Sequence, residues 1–283
     1  MRGSLASRLL INIAVIVLVV IWTLPTVGLL ITSARERDAM ASSGWWSVFT
    51  NPGGAGWTTA NYTSVLSEES GIAIAFINSL TVTIPAVVIP ILVAAFAAYG
   101  FAWMRFPGRK VLFAIIIMML VVPLQIALIP VLKGYLFLEL NGTYLAMWLA
   151  HTGFGLALAT YLLYNYISEL PRDILESAFI DGASHFTTFT RLILPLSVPA
   201  LASFAIFQFL WVWNDLLVAQ TFLGTQKEVA VVTSALLNLI GTRAEAWHLL
   251  TAGAFVSMVL PVVVFLALQR FFVRGLLAGS VKG

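Results

Sequence analysis

The chain has no cysteine, and its 283 residues include only 15 Lys and Arg, 12 Asp and Glu, and three His. The missing cysteine excludes disulfides, thiolate chemistry and most zinc sites, and leaves the redox compartment open. His151, His185 and His248 fall on separate segments, so no metal site is predicted. The sequence has no G-x-x-x-x-G-K-[ST] loop for nucleotide phosphates. It also lacks an H-E-x-x-H pair and a G-x-S-x-G elbow. No catalytic residue is therefore predicted, and an intramembrane hydrolase has no nucleophile and base to stand on. Chemical energy would have to come from another chain or from an ion gradient. Charged residues make up 10% of the chain, against about 25% in soluble domains. A core of this size lacks the surface charge to dissolve it. The net charge of +3 does not indicate nucleic-acid binding, because membrane proteins concentrate Lys and Arg in their cytoplasmic loops.

What the chain does have is long apolar blocks, and 60% of its residues are hydrophobic. A bilayer's hydrocarbon core takes about 20 apolar residues per helix. Six blocks meet this length: Leu9 to Ile31, a span within Ile72 to Trp103, Val111 to Leu132, Tyr144 to Tyr166, Leu201 to Phe222 and Leu249 to Phe272. The second is longer than one span needs, so it is expected to tilt or to begin with an interfacial turn. Arg2 and Arg8 precede the first block as in a signal peptide. The block is too long for one, however, and no small-residue cleavage site follows, so it reads as a retained span. Lipid offers an open backbone no partner, and an all-α polytopic bundle of six transmembrane helices follows. Pro25, Pro85, Pro90, Pro123, Pro130 and Pro261 lie inside these blocks and predict kinks.

Orientation follows from the cations. With the N-terminus in the cytoplasm, the inner set is Arg2, Arg8, Arg105, Arg109, Lys110, Arg172, Arg191, Arg270, Arg274 and Lys282. The outer set is Arg35, Arg37, Lys133, Lys227 and Arg243. Ten against five puts both termini in the cytoplasm. Residues 1–71 read as a first span plus an outer segment, and residues 72–283 as a core domain. In the outer segment Trp45, Trp46 and Trp57 serve either as interfacial anchors or as a contact surface for an external partner. A second outer loop runs from Gly224 to His248, and its stretch Val229 to Ile240 is apolar enough to lie on the membrane or dip into it.

The largest inner loop, residues 167–199, carries the strongest pattern. Pro171 suits a first helical turn. Ile174, Leu175, Ala178 and Phe179 then share one face, away from Asp173, Glu176 and Asp181. Gly182 ends that helix and Ser184 is placed to cap a second one. The second helix carries Phe186, Phe189, Leu192 and Ile193 and is stopped by Pro195 and Pro199. Two short amphipathic helices around a glycine corner must cover something: the membrane surface, their own bundle or a soluble partner.

This loop resembles the EAA loop of integral membrane subunits of ABC importers. That family's pattern is E-A-A, two residues, D-G-A, then nine residues from the glycine to an apolar position, one more residue and L-P. The matching residues are Glu176, Ser177 and Ala178, then Asp181, Gly182 and Ala183, then Leu192, Leu194 and Pro195. Ser177 replaces an alanine and Leu192 an isoleucine, and both changes keep the shape. The tail QRFFVRGLLAGSVKG, the stretch WVWNDLLVAQTFLG and the turn Phe106 to Lys110 are similar to permeases of the maltose-type carbohydrate importers. Gly44-Trp45-Trp46 resembles their α-glucoside branch. The resemblance covers most of the chain from Ile72 onward. It implies a type I ABC importer permease fold in a bacterial or archaeal cytoplasmic membrane, with the chain forming half of a heterodimeric sugar pore. The implied partners are a second permease subunit, an ATP-binding cassette ATPase dimer and an extracytoplasmic solute-binding protein. No nucleic acid is implied. ATP and Mg would sit in the partner subunits and no cofactor in this chain. Glu176, Asp181 and Gly182 would form the coupling element in a groove of the ATPase.

Polar residues inside the blocks remain to be placed. Asn214 and Asp215 fall in the outer half of the fifth, with Gln208 about two turns below. Gln125 is in the third, Asn78 in the second and His151 in the fourth. A mid-membrane carboxylate costs about 2.5–3.5 kcal/mol on insertion scales, so Asp215 is expected to avoid lipid. Gln125, Gln208, Asn214 and Asp215 either line a translocation pathway or make hydrogen bonds between helices. The rival function is an ion-driven secondary carrier acting alone, with Asp215 as its carboxylate. Such carriers show inverted repeats, and no such repeat is evident here.

Overall fold

A computed structural model of the chain describes residues 5–240 and 246–278, whose regular structure is helical apart from one isolated antiparallel bridge between Arg35 and Trp57. Arg2, Arg243 and Lys282, which entered the orientation count, lie outside the described residues. Among the described residues four helices are long and apolar enough to cross a bilayer by themselves, and two sharply bent helix pairs bring the number up to six if each pair is one span. The chain divides into two compact units, one of residues 1–73 and 235–258, the other of residues 74–234 and 259–283.

The first unit begins with α1, Leu5–Ser33, whose apolar side chains are almost all exposed and therefore available to lipid. The outer segment folds on its far end as three short helices: α2, Arg37–Ser42; α3, Ser47–Thr50; and α4, Ala60–Leu66. Arg35, 1% exposed, organises them. Its Nε donates to the Ala55 carbonyl at 2.8 Å, Nη1 to the Ser43 and Gly44 carbonyls, and Nη2 to the Ala39 carbonyl and to Ser43 Oγ. A rigid fork of donors suits this better than a lysine would. Asn61 Nδ2 ties α4 back to the carbonyls of Ser33 and Arg35. Trp45 lies against the bare turn at Gly28, where a Cβ would come within 2.9 Å of the indole. Trp46, Phe49 and Trp57 stay exposed.

The second unit is built on α5, Ile72–Trp103, one uninterrupted helix of 32 residues. Around it are α6, Arg109–Met119; α7, Leu124–Phe137; α8, Tyr144–Ser168; α9, Arg172–Ile180; α10, His185–Thr188; α11, Leu194–Leu196; α12, Val198–Trp213; and α13, Leu217–Phe222. Two further helices, α14, Val232–Ile240, and α15, Trp247–Ala278, run through both units. Small buried residues of α5 and α8 share two core clusters, Ala86 with Ala150 in one and Ala94 and Ala98 with Ala159 in the other.

The prolines of α5 explain how it is held. A proline has no N–H, so the carbonyl four residues earlier loses its helical partner. Pro85 frees the Thr81 carbonyl, and Trp148 Nε1 on α8 donates to it at 2.9 Å. Pro90 frees the Ala86 carbonyl, and Gln208 Nε2 on α12 donates to it at 3.1 Å. Near the start of α5, Asn78 Nδ2 donates to the Glu228 and Ala230 carbonyls and its Oδ1 accepts from Tyr144 Oη. Ser79 Oγ accepts the Val232 N–H. The non-helical stretch before α14 is thus satisfied by α5 side chains, as burial in a bilayer requires.

The kink expected at Pro123 in the third block is a full break, since α6 and α7 meet at 102°. Pro123 sits at the break with extended backbone, ψ 126°, and biases the residue before it away from helix. The fifth block starts earlier and stops sooner than expected. It runs from Val198 to Trp213 and bends by 70° from the preceding helical stretch, while α13 is a separate short helix. The second inner-loop helix is a composite, with α10 and α11 joined by a π-helical turn at Phe189–Ile193.

Trp148→Phe should leave the Thr81 carbonyl unpaired and lower stability by about 1–3 kcal/mol. Pro85→Ala restores the helical N–H, so the Trp148→Phe cost should shrink in its presence. Thermal unfolding of the four members of this double-mutant cycle in detergent checks it. Strictly additive shifts would contradict the pairing.

Candidate functional site

Two places bring together the residues singled out from the sequence: the hairpin between α8 and α12, and a polar cluster beside a cavity among α6, α7, α8 and α12.

Pro171 stands at the position just before the first helical residue of α9, not inside its first turn. At the far end, Gly182 takes φ +81°. Its N–H bonds to the Phe179 carbonyl and the Ala183 N–H to the Ala178 carbonyl, the paired bonds of a glycine-terminated helix. Ser184 Oγ then accepts the Thr187 N–H and caps α10. The corner therefore needs a glycine for its left-handed backbone and a small polar residue two positions on.

Of the apolar stripe expected on α9, only Leu175 is buried, at 1% exposure. It joins Phe189, Ile193, Ala98, Leu163 and Ile167 in one core cluster, with Leu194 partly buried against it. Tyr99 Oη lies 2.9 Å from His185 Nδ1, and Trp103 Nε1 donates to the Ile167 carbonyl. These contacts clasp the hairpin to the C-terminal end of α5. Glu176, Ser177, Asp181, Gly182 and Pro195 are exposed, Ala178, Ala183 and Leu192 half-buried, and Ile180 and Phe186 point large apolar side chains outward. The hairpin is anchored along one edge and bare along the other, with Glu176 and Asp181 on the bare side.

The cavity has a volume of about 500 Å³. Its walls include Met119, Tyr135, Phe154, Gly155, Gln208 and Trp211. Gln208, 1% exposed, donates from Nε2 to both the Ala86 and His151 carbonyls, while its Oε1 has no partner. Gly155 makes room for it, since a Cβ there would lie 2.7 Å from Oε1. His151 is fully buried, with its ring edge-on to Trp211 and neither ring nitrogen hydrogen-bonded. Its Nε2 is 3.8 Å from Asp215 Oδ2.

Asp215 lies in the break between α12 and α13. Its Oδ1 accepts the Val218 N–H at 3.2 Å and its Oδ2 the Ala219 N–H at 2.9 Å, so the carboxylate caps α13. Thr233 Oγ1 donates to its backbone carbonyl. Asn214 is exposed and turned back to the Leu210 carbonyl, and Gln125 is exposed on α7. The structure thus gathers Gln208 and Asp215 around His151 and leaves Gln125 and Asn214 apart from them. His151 and Gly155 were not among the site residues chosen from the sequence. A lone histidine inside an apolar block was the available signal for the first, and nothing in the sequence pairs Gly155 with Gln208. Among the described residues no group of three or more His, Asp or Glu is placed to hold a metal ion.

Bent spans around a helix of this length, with a short helical hairpin at one end, define an integral membrane transport subunit. A solved bacterial ABC transporter involved in the import of the acidic polysaccharide alginate shares the fold, with a TM-score of 0.79 over 96% of this chain and 99% of that one at 17% identity. The family model described as the binding-protein-dependent transport system inner membrane component matches residues 55–277, and the chain belongs to this family. It is 58% identical to the osmoprotective compounds uptake permease protein GgtD of Synechocystis sp., over 98% of this chain and 93% of that protein. It is 44% identical to the alpha-glucoside transport system permease protein AglG of Rhizobium meliloti, over 96% of this chain and 97% of that protein. The chain is a multi-pass inner-membrane permease component, and its relatives are transport subunits rather than enzymes.

Gly155→Ala should displace the Gln208 amide and cost its two hydrogen bonds, about 1–3 kcal/mol in all. The melting temperature of the purified permease should fall. Gln208→Ala should relieve the clash, so that the double variant is no less stable than Gln208→Ala alone. A Gly155→Ala protein as stable as the parent would show that the slot is not filled as described.

Proposed function

We propose that this permease forms one half of the pore of an importer for a hydroxyl-rich neutral solute of the α-glucoside class. The second half would be another permease subunit, and an ATPase dimer holding ATP and Mg would drive it. The relatives' names support the solute class, since one carries alpha-glucosides and another osmoprotective compounds. The family is binding-protein-dependent, which supports delivery of the solute by an extracytoplasmic binding protein. In this reading both termini are cytoplasmic, and the exposed Trp46, Phe49 and Trp57 meet either the outer membrane interface or the binding protein.

The observation that carries the reading is the hairpin of residues 167–199. Leu175, Phe189 and Ile193 fix it to the bundle while Glu176, Asp181 and Gly182 stand clear. A rigid knob held on one side and bare on the other can pass a displacement from a soluble motor to the spans. Ile180 and Phe186 would be the apolar part of the contact, and Glu176 and Asp181 its charged part. Ser177, Ala178, Ala183, Leu192, Leu194 and Pro195 would shape the knob. Gln208, in the cavity wall, and Asp215, joined to it through His151, are the better-placed candidates for the solute pathway. Gln125 and Asn214 would contribute only from the exposed faces they occupy.

An ion-driven carrier built on Asp215 is disfavoured by a specific observation. Both carboxylate oxygens already accept backbone N–H groups of α13, so a cation or proton there would compete with the charge that caps that helix.

Reversing both charges, Glu176→Lys with Asp181→Lys, should leave the permease folded in the membrane. The response of ATP hydrolysis to solute-loaded binding protein should fall by about tenfold or more, as for the loss of close charge contacts. Uptake should fall with it. Unchanged coupling in reconstituted vesicles would refute the assignment of this loop.

A further inference from the structure

We infer that the turn between α5 and α6 binds the head group of an anionic diacyl phospholipid, whose chains lie along the outer face of α6. The inference needs only that α6 meets the bilayer, not that the hairpin couples to an ATPase.

The turn concentrates positive charge in a small hollow. Arg105, Phe106, Gly108, Arg109, Lys110 and Val111 line a pocket of about 460 Å³. Arg105 and Lys110 are exposed and Arg109 is half-buried, with its Nη1 donating to the Met104 carbonyl at 2.8 Å. That bond fixes the guanidinium at the rim while leaving its other donors available. Among the described residues no carboxylate forms an ion pair with any of the three. Gly108, at φ +77°, sits where a Cβ would meet nothing within 4 Å, so the hollow is open above the backbone. Three unpaired cations around an open hollow call for an anion, and a phosphodiester fits them.

The second half of the argument is what lies beside the hollow. From Val111 onward α6 turns Val111, Leu112, Ile115 and Met118 outward, each at least 46% exposed. The opposite side is occupied, with Phe113 against Tyr164 at 4.2 Å between ring centroids. A cationic, anion-binding pocket therefore continues directly into an apolar strip along one helix. A soluble protein partner would match the charges but not the strip. A free phosphate would match the pocket and leave the strip empty. A lipid with a charged head and two acyl chains matches both, and cation clusters at the foot of a membrane helix recognise such lipids.

A basic residue near an anionic membrane surface contributes about a fivefold preference, so three give about a hundredfold at most. The test is native mass spectrometry of the complete transporter complex in mild detergent. It is titrated with phosphatidylglycerol and with phosphatidylcholine of the same acyl chains. The parent complex should retain phosphatidylglycerol preferentially, and R105Q/R109Q/K110Q should lose that preference while K133Q keeps it. Inorganic phosphate at equal concentration should fail to displace the lipid. Displacement by phosphate would reassign the pocket to a soluble anion. Equal retention of the two lipids by the parent would overturn the inference. So would a preference that survives the triple exchange, including the case in which that variant sheds its ATPase and the basic turn proves to be a protein contact. Should the triple variant not fold, R105Q and K110Q singly should each lower the preference about fivefold, and no change in either would also overturn it.

Discussion

A backbone carbonyl inside a bilayer has no water to turn to, and the two that Pro85 and Pro90 release decide how this bundle is assembled. Trp148 reaches one from α8 and Gln208 reaches the other from α12. Packing in lipid gains nothing from squeezing out water between apolar surfaces, so a few directed bonds weigh more here than in a soluble core. These two hold three helices in register without any charge in the hydrocarbon. The rest follows. The Gln208 amide must come close, which requires Gly155 opposite, and its second N–H then takes the His151 carbonyl. The cavity beside α7 and α8 exists because these contacts hold α12 where they do.

The same rule governs the breaks in the spans. Where α12 stops, Asp215 receives the first N–H groups of α13. Where the chain leaves helix before α14, Asn78 and Ser79 supply the missing partners. Irregular backbone at membrane depth is tolerated only when protein satisfies it, and each of these side chains does that work at an identifiable break. His151 differs from these. Both of its ring nitrogens are buried without a hydrogen bond, and Nε2 lies 3.8 Å from a carboxylate already engaged elsewhere. A buried polar group in that condition favours some other arrangement of its neighbours, and a transporter passes through more than one arrangement.

Much of the architecture was legible in the sequence, because apolar block length reports directly on bilayer thickness. Four spans came out with ends within a few residues of the blocks, the last running further at its C-terminal end. The hairpin was legible too, since Gly182 and Ser184 are local signals whose geometry depends on few neighbours. What could not be read were the angles. Pro123 turns the chain by 102° between α6 and α7, whereas Pro85 and Pro90 leave α5 continuous. Trp148 and Gln208 take the carbonyls that Pro85 and Pro90 free, and a single sequence does not pair Trp148 with Thr81. For the same reason Asp215 looked like a charge within a span, although its role as a cap depends on a helix end that no local residue announces. Gln208 was legible as a polar residue needing a partner, but the identity of that partner was not.

Arg35 has one more implication, for the order in which the protein is made. Its guanidinium is satisfied by residues 39, 43, 44 and 55, all within about one short stretch of chain. Contacts so near in sequence close quickly, because only small loops have to form. Residues 34–71 are therefore equipped to fold as soon as they have emerged behind α1, while the later spans are still being synthesised. A nascent chain would carry a finished cap on its first helix before the rest of its bundle exists.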